Sequence, residues 1–588
     1  MQVALGEADP DLAIVGGKVV DVFSGRIREA NILIRDGRIA ALPSPDVPVP
    51  EGVPTYDAAG RYLCPGLIDP HMHMESSQVL PAEFAKAVVP RGVSTVVVDP
   101  HEFGNVVGTH GIRAFLDACK GLPLRVLLRV PARVPELTPD LETGGGQIDE
   151  AQTREMLAWP EAACLAGDIN PEIILRREPG QMQRMADTLA AGHVISGYAP
   201  QLSPGQLDAF VAAGVRDTHV PKDVGEIIMD IEHGLHTLLT PRPGRFEEAD
   251  FRDLARLIAD RQIDTRRICL CTDDVLVHEL ITDGHLDARL RMAIRAGIDP
   301  VIALQMATLN NADLFRLDDH LGALGAGRFA DIAVVSDMET YTVDAMFFEG
   351  RQVTEDRAPL VQFGPMPPMP EAVRKTVHSP IPEDPAALTV PYSGPAAELR
   401  CRVLVDSHPK TLEEHTLAVR DGTVQPDPAR GILSLAVVER YHSSGRIGRG
   451  FVKGFGLERG AVASSTNHNS HHIFTLGTNA PDMRTALARL AELQGGYVAV
   501  LDGEVVAEVP LPVIGMISEL PAEDLAEQTT AFERVLYDTL GCTVARRPMM
   551  DLNFLCSPVV MNYGMTDFGL VDCLNFERVD LFAEPAPA

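Results

Sequence analysis

The sequence predicts an α/β protein built around a (β/α)₈ TIM-like barrel, and three observations predict it. Between about Tyr62 and Ala307, short apolar runs begin near Leu63, Val93, Leu124, Ala163, Val194, Val215, His236 and Ile268. Many of the stretches between these eight runs, such as Pro81–Val89, Thr109–Lys120 and Gln181–Ala191, are long enough for a crossover helix. Eight strand-then-helix units over roughly 250 residues match the usual size of this barrel. Finally, the first run ends in histidines. A doubly wound sheet, the alternative, would want a glycine-rich phosphate turn there.

The flanks read differently. Residues 12–42 are short strands: Leu12–Val15 and Lys18–Val20 around Gly16-Gly17, then Ile32–Arg35 and Arg38–Ala41 around Asp36-Gly37, a strong type I′ hairpin signal. A proline-rich loop, Leu42 to Pro54, follows. Beyond the barrel, Ala330–Ser336 and Ala345–Glu349 return to strand texture, and Pro365 to Pro395 carries enough proline to predict a linker. From about Glu398 onward, hairpins at Asp421-Gly422 and Asp502-Gly503 mix with helical stretches at Asp482–Leu493 and Pro521–Leu540. That pattern predicts an α+β unit.

Composition narrows the partners. At 588 residues the chain exceeds a single compact core. A formal net charge of −31 argues against a nucleic-acid polymer and against an anionic membrane surface, since both call for clustered Lys and Arg. A small neutral or cationic ligand is compatible with it. The nine cysteines form no CxxC spacing, which predicts reduced thiols acting as small hydrophobes. Met1–Pro10 has neither a basic nor an apolar leader region, and no apolar stretch nears the ~20 residues of a membrane span. A cytoplasmic protein is expected.

Chemistry concentrates at strand ends. In Asp69-Pro70-His71-Met72-His73, alternate residues share one strand face, so Asp69, His71 and His73 point the same way. Two imidazoles one pleat apart can bind a metal, although a bare pair also fits satisfied histidines. The eighth run leads into Asp273-Asp274. Asp273 can ligate an ion and take a proton from its water, whereas Asp274 fits a helix N-cap. The second run ends in Asp99-Pro100-His101-Glu102, where His101 and Glu102 suit acid–base work or a helix cap. The sixth ends in Asp217-Thr218-His219, with His219 as a metal or proton-transfer candidate. His193, at the opposite end of its strand, is not a candidate.

These strings carry a resemblance. Pro65-Gly66-Leu67-Ile68-Asp69-Pro70-His71-Met72-His73 resembles the opening of the amidohydrolase superfamily. Val15-Gly16-Gly17-Lys18-Val19-Val20 and Gly327-Arg328-Phe329-Ala330-Asp331-Ile332-Ala333-Val334-Val335 resemble the two halves of its accessory β-sandwich. More narrowly, His73-Met74-Glu75-Ser76-Ser77, Asp99-Pro100-His101-Glu102-Phe103-Gly104-Asn105, Val452-Lys453-Gly454-Phe455-Gly456-Leu457 and His468-Asn469-Ser470-His471 are similar to the adenine deaminase family. The resemblance implies five segments: 1–61 and 321–363 as parts of the sandwich, 62–320 as the barrel, 364–395 as a linker, and 396–588 as a C-terminal α+β domain. It also implies a homodimer.

The chain departs from the family pattern at four places. A metal-bridging glutamate is expected in Gly-Leu-Ala-Glu after the fourth strand, but this chain reads Cys164-Leu165-Ala166-Gly167, with Asp168 one residue late. Gly-His has become Gly197-Tyr198. Asp-His-Glu has become Thr218-His219-Val220, and His-Asp-Ser-His has become His468-Asn469-Ser470-His471. One ion held by His71, His73 and Asp273, helped by His219 or Asp168, and a pair of ions are both compatible with what remains. Mn, Fe and Zn all suit such ligands.

The resemblance implies that adenine is converted to hypoxanthine and ammonia. A divalent ion can lower the pKa of its water from 15.7 to about 7, giving a nucleophile for the purine carbon bearing the amine. Asp273 would carry the proton to the leaving ammonia, Glu102 or His219 would protonate the ring, and His101 would orient a neighbour or the substrate. The altered positions keep two alternatives open: hydrolysis of another cyclic amide, such as a hydantoin or lactam, and a metal-poor paralogue without activity. The sequence leaves two places for His468 and His471, the barrel mouth or a loop cap.

Overall fold

The computed structural model describes residues 1–167, 171–199, 202–241, 246–364, 368–407, 409–468, 470–544, 547–558 and 562–583. Its centre is a TIM-like barrel of parallel strands: Leu67–Met72, Val93–Val98, Arg125–Val130, Ala162–Leu165, Val194–Ile195, Asp217–His219, His236–Leu239 and Ile268–Leu270. The first five hydrogen-bond in sequence order into one sheet, and the last three into another. Single parallel bridges, Ile195 to Val215 and Met72 to Asp273, join the two pieces at both ends, so the closing strand lies beside the opening one. Helices such as Pro81–Val88, Thr109–Ala118, Pro179–Ala190 and Glu248–Ala259 cross between the strands.

The opening strand differs from the sequence expectation in one respect. The run beginning near Leu63 is two strands. Tyr62–Pro65 pairs with Lys18–Asp21 and with Ile332–Asp337 in a seven-stranded sheet outside the barrel, and only Leu67–Met72 enters it. Gly66 is the crossing point. A Cβ there would sit 2.4 Å from Ser94 Oγ, so only glycine lets the chain pass this close to the second barrel strand.

The seven-stranded sheet shares a core with a four-stranded one. Ile14, Val19, Ile32, Leu63, Ile332 and Phe347 pack together between them. The hairpin predicted at Asp36-Gly37 is present, with φ of 50° and 74° at its two central residues, as a type I′ turn requires. Gly16-Gly17 is not a hairpin: it carries the chain from the smaller sheet to the larger.

In the C-terminal part, a ten-stranded sheet receives helix Ala480–Leu493, whose Met483, Ala486, Leu487 and Leu490 are fully buried against it. Helix Ala522–Asp538 lies near the second predicted position. The proline-rich stretch is more than a tether. It holds the short helix Glu371–Arg374, buries Val373 and Leu388, and accepts a bond from Ile514 N at Val373 O, 2.6 Å away. Proline removes donors without preventing burial of the apolar side chains between the rings. All nine cysteines are buried, and none forms a disulfide among the described residues. Among the described residues, no helix is long and apolar enough to cross a membrane.

One buried charge on the barrel's outer layer yields a pH prediction. Asp230, on helix Val224–Glu232, is almost fully buried, and burial, aided by the Glu226 charge, pushes its carboxyl from 3.8 up to about 8. A raised carboxyl holds its proton more tightly folded than unfolded. Its cost is therefore absent below about pH 4, grows as pH rises, and levels off above about 8. Asp230→Asn is expected to raise the melting temperature at pH 8 and to leave it nearly unchanged at pH 4. Thermal denaturation at the two pH values checks this, and equal shifts at both would refute it.

Candidate metal centre

The two histidines of the opening strand end up where the strand alternation places them. His71 and His73 are buried, with ring centroids 5.1 Å apart and nearly perpendicular. Their neighbour across the barrel seam is Asp273. Its backbone N–H donates to His71 O at 3.0 Å, and His73 N donates back to Asp273 O at 3.3 Å. This clamp holds Asp273 at φ +59°, a left-handed conformation uncommon for a residue with a side chain. The carboxylate is thereby aimed inward, with Oδ1 3.5 Å from the Nε2 atoms of both His71 and His73.

His219, at the end of the sixth strand, comes to the same point. Its ring centroid is 4.4 Å from that of His71 and 5.0 Å from that of Tyr198. The next residue, Val220, has φ +57°, an outlier for a β-branched side chain. His471 is also left-handed, at φ +50°. Left-handed backbone at three residues in or beside one site fits the general pattern that strain is retained where function needs a fixed geometry.

His101 opens helix His101–Val107, and its ring stands 5.0 Å from that of His73. Three of these imidazoles are oriented from behind through Nδ1. His73 Nδ1 donates to the Asp99 carbonyl at 3.2 Å, and His219 Nδ1 to the Gly197 carbonyl at 3.2 Å. His101 Nδ1 lies 3.1 Å from Asp99 Oδ1. An imidazole held through Nδ1 in this way could offer Nε2 to an ion, the arrangement typical of metal-binding histidine. Asp99 was not among the candidate site residues. Its spacing, two residues before His101, was the available signal for this supporting role.

The donor set fits a divalent cation. His71, His219 and Asp273 offer ligand atoms that all lie within 4.8 Å of one another, as do His73, His101 and Glu102, and His73, Asp273 and Asp274. Donors about 2.0–2.2 Å from a tetrahedral ion are about 3.4 Å apart, close to the separations at Asp273 Oδ1. Imidazole and carboxylate together suit Zn, Mn or Fe.

Other candidates have different positions. Asp69 turns away from the imidazoles: it accepts from Thr272 Oγ1 at 2.6 Å and from His71 N at 3.2 Å, and burial pushes it up to about 7. Asp274 caps no helix, since helix Val277–Thr282 begins after Leu276. It accepts from Ser76 Oγ at 2.5 Å instead, because the segment after the eighth strand turns back over residues 74–77. His193 Nε2 faces Leu157 O at 2.9 Å, far from the site, as expected. Asp168 lies outside the described residues. Gly167 has no room for a side chain, because a Cβ would meet Gly197 N at 2.3 Å.

Glu102 has partners that its sequence neighbours do not show. It is completely buried, and two histidines of the C-terminal unit grip it. His468 Nδ1 is 2.7 Å from Oε1, and His471 Nε2 donates to Oε2. Burial pushes the carboxyl up, but His471, His101 and His468 outweigh it and hold Glu102 well below the usual carboxylate range. Nearby Glu75, also fully buried, is pushed by burial and by the Glu102 charge up to about 8. Of the two placements left open for His468 and His471, the structure selects the barrel mouth.

That loop is firmly held. His468 N donates to Asn553 O at 2.6 Å, His471 N to Asn467 O at 2.8 Å, Thr466 Oγ1 to Asn553 Oδ1 at 2.6 Å, and Tyr441 Oη to Ser470 O at 2.9 Å. Comparison with known proteins assigns both halves of this meeting point. Residues 62–181 and 184–353 match the amidohydrolase family, and residues 410–577 match the adenine deaminase C-terminal domain. The chain is 35% identical over 583 residues to an adenine deaminase of Moorella thermoacetica, covering 98% of this chain and 97% of the relative. It is also 35% identical over 588 residues to adenine deaminase 3 of Rhizobium meliloti, covering 99% and 98%.

The chain belongs to the adenine deaminase family.

A third relative, an adenine deaminase of Desulfatibacillum aliphaticivorans, is 33% identical over 579 residues and covers 98% of both chains. The amidohydrolase match contains His71, His73, His101, Glu102, His219 and Asp273, and the C-terminal match contains His468 and His471. Within this family member, the contact between Glu102 and the two C-terminal histidines therefore joins the two matched regions.

Proposed function

We propose that this protein is a metal-dependent aminohydrolase that converts adenine and water to hypoxanthine and ammonia. The observation that carries the reading is the convergence of His71, His219 and Asp273 on one point at the barrel mouth, in a chain of this family. These three residues would hold a divalent ion, Mn, Fe or Zn, with His73 Nε2 as a further donor. When bound, the ion would supply an acidified water near neutral pH.

The protein groups supply the rest. Asp273 Oδ1 accepts the water's proton and delivers it to the departing amine, because it sits at the centre of the imidazole cluster. Asp99 and the Gly197 carbonyl keep the imidazole tautomers fixed. Tyr198 packs beside His219 and borders the space where the purine would lie. The near-complete burial of the site excludes bulk water from competing reactions. The complete donor triads speak against a metal-poor paralogue.

In the same reading, the four- and seven-stranded sheets are the accessory β-sandwich, residues 396–588 form a C-terminal α+β domain, and the protein works as a cytoplasmic homodimer. The test is ammonia release from adenine before and after chelation. Stripped protein is expected to lose at least 100-fold in rate and to recover it with Mn, Fe or Zn. Metal-replete protein that releases no ammonia, yet opens a hydantoin or lactam ring, would replace adenine as the substrate.

A further inference from the structure

Asp567 is a buried carboxylate that the site described above does not use. It sits in the turn between strands Tyr563–Thr566 and Gly569–Asp572 of the C-terminal unit. Its two oxygens collect partners from three segments. Thr143 N donates to Oδ1 at 3.2 Å, and Thr143 Oγ1 donates to Oδ2 at 2.6 Å. Arg446 Nη1 donates to Oδ2 at 3.1 Å and also to Thr143 Oγ1 at 2.7 Å. His472 Nε2 lies 3.3 Å from Oδ1. Burial pushes the carboxyl up, but His472, Thr143 and Arg446 outweigh it and hold it at about 2, so it is ionised at neutral pH.

Two of these partners lead to the site. Thr143 lies on the segment that follows the third barrel strand. Just beyond it, Gly145 N and Gly146 N donate to Asn105 O at 3.0 and 2.8 Å. Asn105 belongs to helix His101–Val107, which carries His101 and Glu102. A Cβ at Gly146 would lie 2.2 Å from Gly104 O, so this segment rests directly on the helix backbone. It is also tied to the turn that holds Asp567, because Thr566 Oγ1 donates to Leu141 O at 2.6 Å. On the other side, His472 directly follows His471, whose Nε2 donates to Glu102 Oε2. Both routes end at Glu102: one reaches its helix, the other its carboxylate.

We propose that Asp567 is a positioning residue for the barrel mouth: it locks segment 143–146 and the loop carrying His471 into one register, and so fixes where Glu102 points. The proposal rests on the functional reading above, since its effect is read in adenine turnover. Among the described residues, the ion-pair and hydrogen-bond partners of the Asp567 side chain are Thr143, Arg446 and His472, and none of them belongs to the donor sets at the mouth. Asp567 therefore acts through others. An ionised carboxylate suits this task, because bonds to a charged acceptor are about twice as strong as neutral ones. The precision matters, since a misplacement of about 1 Å far from the chemistry can cost about 100-fold in rate.

The experiment is steady-state ammonia release from adenine by metal-replete full-length protein, at a temperature where circular dichroism shows each variant folded. Asp567→Asn keeps the shape of the side chain and removes its charge. It is expected to lower kcat about 10–100-fold while KM changes less than about 2-fold. Thr143→Val is expected to share the loss, and Thr143→Ser, which keeps the hydroxyl, to restore the rate. The decisive readout is a double-mutant cycle with Glu102→Gln. Once the Glu102 carboxylate is gone, Asp567→Asn should cost less than about 3-fold, whereas a residue that only supports the fold would cost the same in either background. A folded Asp567→Asn enzyme with the wild-type kcat would overturn the proposal, as would an undiminished loss in the Glu102→Gln background. Should Asp567→Asn fail to fold, the Thr143 pair decides, and a wild-type rate in Thr143→Val overturns it. A wild type that releases no ammonia would overturn the functional reading as well.

Discussion

Asp273→Asn is expected to lower the rate of ammonia release from adenine by about 10³-fold, within the range of a lost acid–base group. The substitution keeps the shape of the side chain while removing its charge and its capacity to carry a proton. Asp273 Oδ1 lies 3.5 Å from the Nε2 atoms of both His71 and His73, so the charge and the proton carrier are lost at the centre of the imidazole cluster. The backbone clamp to His71 and His73 does not involve the side chain, so the left-handed turn and the fold should survive. Steady-state kinetics with adenine, alongside elemental analysis, measures the loss. If Asp274→Asn were equally damaging and Asp273→Asn mild, the catalytic carboxylate would move by one residue.

Arg129→Ala should have the largest effect on stability. Arg129 is fully buried beneath the site. Its Nη1 donates to Pro70 O at 2.8 Å, and its Nη2 donates to Ser196 Oγ. Ser196 Oγ in turn donates to Asp217 Oδ1 at 2.5 Å, and Gly197 N donates to the same oxygen at 3.1 Å. Removing the guanidinium leaves the Pro70 carbonyl without its donor and Ser196 Oγ, which links Arg129 to Asp217, without one of its partners. Leaving a buried polar group unsatisfied costs about 1–3 kcal/mol, so two together reach about 2–6 kcal/mol. For a unit of this size that corresponds to a fall of about 10 °C in melting temperature. Because Pro70 immediately precedes His71, metal affinity should fall with it. A shift below about 2 °C would show that both groups find other partners.

Much of this was legible beforehand for local reasons. Period-two alternation put His71 and His73 on one face of a strand, and the closing run delivered Asp273 to the same mouth, because a barrel places all its strand ends together. The type I′ hairpins followed from Asp-Gly pairs alone. Three features were misread or missed. The first barrel strand was merged with Tyr62–Pro65, because an unbroken apolar run does not reveal that Gly66 hands the chain from one sheet to another. Asp274 looked like a helix cap until the returning segment supplied Ser76 as its donor. The partners of Glu102 were missed, because nothing near it in sequence forewarns of His468 and His471.

The sequence by itself determined the barrel, the family and the candidate metal-binding side chains, since each depends on short-range patterns that a strand or turn enforces within a few residues. The tertiary structure alone decided what those side chains meet. The approach of Asp273 to both His71 and His73, the lack of space at Gly167, and the 369-residue reach from Glu102 to His471 all depend on chain segments meeting from distant parts of the sequence. Packing sets those meetings, and packing is a property of the whole folded surface, not of any local string of residues.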